Sequence, residues 1–73
     1  MQEQDKDILQ LLGEKLRQAR TEKGLSQAEL SYDANIPKNQ VGRIERGEIS
    51  TSITNLYKIC TALGIKVKDL IDF

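Results

Sequence analysis

Residues 27–46 read QAELSYDANIPKNQVGRIER, two helical patterns parted by the break Asn35-Ile36-Pro37. Just upstream, Ser26 offers a hydroxyl to the free N–H groups of a helix start. Glu29 stands where a carboxylate can reach back to the Ser26 N–H, which completes a capping box. Leu30 and Ala34 then give this helix one narrow apolar stripe. Asn35 tolerates a left-handed backbone and Pro37 disfavours helical geometry at Ile36, so the helix stops there. The fixed φ of Pro37 suits the opening of a second helix. In it Val41 and Ile44 face inward, while Lys38, Asn39, Gly42, Arg43 and Arg46 fall on or near the outward face. Two helices joined by so tight a turn cross steeply, and the second projects from the body of the domain.

Upstream of this stretch, Asp7 is a candidate cap with Gln10 at the capping-box position. Ile8, Leu12, Leu16 and Ala19 recur at helical spacing. This first helix is expected to end at Glu22 or Lys23, where Gly24 suits a left-handed cap. Gly13 in its interior costs about 1 kcal/mol relative to Ala. Residues 1–6 read as a flexible tail, and residues 7–73 as a single domain whose helix-turn-helix proper spans 27–46. Leu9 and Leu11 lie off the stripe; partial burial and contact with a second subunit both remain open. Downstream, Gly47 to Thr51 is a loop. Ser52 then caps a fourth helix with inward positions Ile53, Leu56, Ile59, Cys60 and Leu63, closed by Gly64. A short fifth helix covers about Val67 to Ile71. The expected class is all-α, five helices and no strands.

With 73 residues the chain is one small domain, and such a core yields only roughly 3–5 kcal/mol. Partner binding would therefore add to stability as well as serve function. No apolar run approaches the ~20 residues of a membrane span, and the first residues lack the basic start of a signal peptide. The lone Cys60 cannot form an internal disulfide, so the cytoplasm is the expected compartment. Cys60 reads as a small buried hydrophobe. With no His in the chain, no metal-ligand cluster and no nucleophile beside a base, an enzyme is the weakest reading. No cofactor is expected, and so short a chain has no room for a small-molecule pocket domain. Net charge is zero, yet charge is segregated. Lys15, Arg17, Arg20 and Lys23 cluster late in the first helix, and Lys38, Arg43 and Arg46 in the third, so a local positive face remains available.

Several pieces, in this order and spacing, resemble the Cro/phage-repressor-type helix-turn-helix family, also called the xenobiotic-response-element family of bacterial regulators. They are Gly24-Leu25-Ser26-Gln27, Ile44-Glu45-Arg46-Gly47, Leu56, Ile59, Ala62-Leu63-Gly64 and Leu70. The resemblance spans roughly residues 12–71 and implies a compact five-helix, lambda-repressor-like DNA-binding fold. It departs from the family at Asn35 (usually Gly), Ser31 (usually Ala), Cys60 (usually Ala) and Pro37 (usually a capping Ser or Thr). Pro37 forfeits one cap bond, worth about 1 kcal/mol.

By this resemblance the third helix enters a DNA major groove. Arg and Lys match guanine O6/N7 there, and Asn or Gln matches adenine N6/N7. Lys38, Asn39 and Arg43 are the expected base readers, with Gln40 second. Gly42, on the same face, is expected to let the backbone approach the groove closely. Gln27 with the free N–H groups at its helix start resembles the family's phosphate clamp. Arg46, Ser50 and Thr51 lie where the family contacts the neighbouring strand; Glu48 is a departure there that should weaken affinity. Arg20 and Glu45 occupy positions that in the family form an ion pair holding the recognition helix at its angle. Val67, Leu70, Ile71 and Phe73 exceed what one short helix can hide, and are expected to form a dimer surface. The expected function is that of a small transcriptional regulator, a repressor, binding a pseudo-palindromic double-stranded operator as a homodimer. The alternative is an antitoxin or adaptor that keeps the fold for protein interaction, favoured by neutral charge and by Glu48.

Overall fold

In the computed structural model, residues 3–72 are described, with side chains from residue 6 onward. Five helices follow in order: α1 (Glu3–Lys23), α2 (Gln27–Ala34), α3 (Gln40–Glu45), α4 (Ile53–Leu63) and α5 (Val67–Leu70), with no strand among the described residues. Local chemistry sets most boundaries. The Ser26 hydroxyl accepts from the Glu29 N–H at 3.0 Å, and the Glu29 carboxylate accepts from the Ser26 N–H at 2.8 Å. Asn35 ends α2 at φ 57°, and Gly24 and Gly64 end α1 and α4 at φ 80° and 72°, the left-handed geometry of helix caps. The Ser52 hydroxyl accepts from the Asn55 N–H and opens α4.

One apolar cluster runs through all five helices: Leu12 and Leu16 of α1, Leu30 and Ala34 of α2, Val41 and Ile44 of α3, Leu56, Ile59, Cys60 and Leu63 of α4, and Leu70 of α5, with Ile36 from the turn. α1 packs on α3, and α2 on both α3 and α4. The short α3 is thus held from two sides, with its remaining face outward.

The structure corrects several expectations. α1 begins at Glu3, so Asp7 lies inside the helix instead of capping it, and residues 3–6 belong to a helix instead of a tail. Ile8 and Ile53, on the inward stripes by spacing, are exposed. Ile53, 68% exposed, lies in the opening turn of α4, ahead of Leu56, where core contact begins. α3 starts at Gln40, leaving Pro37–Asn39 as a turn. Its Pro37 carbonyl accepts from the Gln40 N–H at 3.1 Å, and the Asn39 side chain caps nothing. The Ser31 hydroxyl, buried in α2, donates to the Gln27 carbonyl at 2.9 Å and reaches the Lys38 carbonyl at 3.2 Å, pinning that turn to α2.

Candidate nucleic-acid interface

The side of α3 away from the core carries the polar residues singled out above. Val41 and Ile44 are buried, which fixes the rotation of the helix and leaves Arg43 exposed. Lys38 and Asn39, in the turn leading into α3, are exposed as well. Three donors suited to base edges therefore stand along the N-terminal approach and the outer face of one helix. Gln40 is half-buried, and its Oε1 accepts from the Asn55 amide of α4 at 3.2 Å. That bond turns it towards α4 and away from the outer face.

A polar brace sets the angle of α3. The Arg20 guanidinium donates to both carboxylate oxygens of Glu45, at 2.5 and 3.0 Å, and to the Leu25 carbonyl at 2.8 Å. The Gln27 side-chain amide adds a bond to Glu45 at 3.1 Å. The network joins α1, the α1–α2 turn, the start of α2 and the end of α3. Its ion pair is largely withdrawn from water, with the Arg20 and Glu45 side chains 12% and 4% exposed. The Glu45 hydrogen bond holds the Arg20 guanidinium above its ordinary pKa, and burial only partly opposes this. Beside the brace, α1 and α3 meet without a side chain between them. A Cβ on Gly13 would lie 2.5 Å from the carbonyl oxygens of Ile44 and Glu45. Glycine is required here by backbone-to-backbone approach, a demand that helical spacing alone does not reveal.

The remaining expected site residues are distributed as follows. Gln27 is exposed at the start of α2, but its amide is spent on Glu45, so its role as a phosphate clamp requires the other N–H or the backbone. Gly42 is buried, with Gln27 and Arg46 over the place its Cβ would take, so it cannot serve as an open approach to the groove. Arg46 is exposed and donates to Glu48 at 2.6 Å. Ser50 is exposed; the Thr51 hydroxyl is buried with no hydrogen-bond partner among the described residues, and so does not face a phosphate. Leu70 is 1% exposed: α5 folds onto α1 and α4 and uses it to close the core, so it is not available to a dimer surface. Val67 is half-buried against that core and Ile71 is exposed. Phe73 lies outside the described residues. Glu48, read from sequence as a departure, contacts both outward arginines: its carboxylate also lies 3.7 Å from the Arg43 Nε. Arg46 donates to it and so holds it below the usual carboxylate range. Burial pushes the Cys60 thiol up, and Asp69 adds to this, which suits an inert core group.

Comparison with known proteins agrees with this geometry. The chain is 40% identical over 68 residues to the control protein C.BamHI of Bacillus amyloliquefaciens, an alignment covering 92% of this chain and 84% of that protein. It is 35% identical over 63 residues to the helix-turn-helix-type transcriptional regulator SinR of Bacillus subtilis, covering 85% of this chain and 57% of SinR. Among solved structures, the restriction-modification controller protein C.AhdI from Aeromonas hydrophila superposes with a TM-score of 0.83 at 40% identity, over 85% of this chain and 94% of that one. The helix-turn-helix family model HTH_3 matches residues 16–70, and the chain belongs to that family of regulatory DNA-binding domains.

Proposed function

We propose that this protein is a cytoplasmic, sequence-specific transcriptional regulator, a repressor, that lays α3 in the major groove of an operator as a homodimer. The observation that carries this reading is the exposed set Lys38, Asn39 and Arg43 on a helix whose other side is anchored by Val41 and Ile44 and braced by Arg20–Glu45. Lys38 and Arg43 supply donors for guanine, and Asn39 a donor–acceptor pair for adenine. Arg46, Ser50 and the start of α2 at Gln27 position the phosphates on either side. The similarity to controller proteins and to SinR supports regulation of transcription as the purpose of binding.

One recognition helix reaches only a few base pairs, too few to select one site in a genome, and two-fold pairing supplies the rest. The second copy covers exposed apolar groups of the C-terminal half: Ile71, and Ile53 with Tyr57, one turn apart on α4.

Selection of bound duplexes from a random pool tests the reading. A regulator enriches a two-fold symmetric sequence, and its affinity falls with salt by roughly 0.9 log units per phosphate neutralised for each tenfold rise. No enrichment and no salt dependence would instead favour the protein-interaction module.

A further inference from the structure

Glu48, in the loop just past α3, contacts the exposed Arg43 of that helix and Arg46 at its C-cap. Gly47, at φ 72°, turns the chain back after α3, and the Glu48 N–H donates to the Arg43 carbonyl at 3.0 Å. The carboxylate is thereby set between two guanidinium groups. Arg46 donates to one oxygen from Nε at 2.6 Å and reaches the other from Nη2 at 3.5 Å, while Arg43 Nε stands 3.7 Å away. All three side chains are about half exposed. Such a pair is weak and exchanges readily with solvent.

We infer that Glu48 is an intramolecular stand-in for a DNA phosphate at Arg46, with the base-reading Arg43 alongside, and attenuates the sequence-independent part of DNA binding. The inference rests on the DNA-binding reading proposed above. A carboxylate and a phosphate present the same two-oxygen edge to a guanidinium fork, so the two compete for one donor set. Glu48 also offsets part of the positive charge that Lys38, Arg43 and Arg46 bring to this face. The device limits how far charge alone can hold the protein on bulk DNA, where competing sites are most numerous.

The test compares the full chain, E48Q and E22Q on one short duplex of arbitrary sequence, by fluorescence anisotropy across a salt series. Glu22 is exposed on α1 and hydrogen-bonded to Gln18, so E22Q changes net charge equally without touching the arginines. E48Q is expected to bind about fivefold tighter at low salt, with a log–log salt slope steeper by about 0.9, while E22Q changes affinity by under about twofold. In an Arg46→Gln background most of the E48Q gain should vanish. Equal effects of E48Q and E22Q, or a gain that survives loss of Arg46, would overturn the inference while leaving DNA binding intact. Absence of binding by every variant at low salt would remove the DNA-binding reading itself, and the inference with it.

Discussion

Arg20 is the side chain on which three segments converge, and its loss leaves the Glu45 carboxylate buried without a counter-charge. Arg20→Gln should destabilise the fold by roughly 3–5 kcal/mol, read as a lower urea midpoint. Replacing both partners with methionine should recover most of that loss, because no buried charge remains. Glu29 makes a prediction in pH. Its bonds with Ser26 hold its carboxylate below the usual range, so the ionised form is favoured by folding. That stabilisation is present above about pH 4.3 and is lost as pH falls through the depressed folded value. The difference in urea midpoint between the native protein and E29Q should therefore be full at neutral pH and shrink on acidification; a constant difference would contradict the capping box. The residues of that box were legible in the sequence because a cap is made within four residues of chain. Glu48's hold on two arginines was not, since it depends on how Gly47 turns the chain back over the helix.

Among the elements, the seat of α3 against α1 explains the most. Gly13→Ala gains about 1 kcal/mol of helix propensity, yet its Cβ would meet two backbone carbonyls at 2.5 Å. Overpacking of that kind typically costs about 1–3 kcal/mol, so the variant should be destabilised. Gly42→Ala should leave stability within about 1 kcal/mol of the native protein, because its Cβ meets only side-chain ends, Gln27 Oε1 at 3.0 Å and Arg46 Nη1 at 3.1 Å. Thermal unfolding of the two variants separates these outcomes. Helix spacing revealed that both positions are helical and nothing about their neighbours. The same limit explains Ile53 and Leu70. Ile53 is in line with the buried Cys60 but sits one turn too early to be covered, and Leu70 is buried because α5 folds onto α1 and α4. The start of α3 is not legible from Pro37, which suits a tight turn as well as a helix start, and Ser31 holds the Lys38 carbonyl in that turn.

At the scale of the molecule, the order and type of the helices were readable because their caps and stripes are local, whereas the pairing of copies depends on which apolar groups the monomer leaves uncovered. Ile53→Asp and Ile71→Asp should each shift the protein towards monomer in sedimentation at tens of micromolar and weaken operator binding. A native chain that stays monomeric with and without DNA would contradict the dimer. The Lys38–Asn39–Arg43 side of α3 is the surface expected to meet DNA. Amide chemical-shift mapping with the selected operator duplex measures this directly. The largest changes should fall on residues 38–48 and the start of α2 near Gln27, with Glu22 and the neighbouring turn of α1 nearly silent. Changes centred on α1 or α5, or none that saturate at low salt, would contradict it.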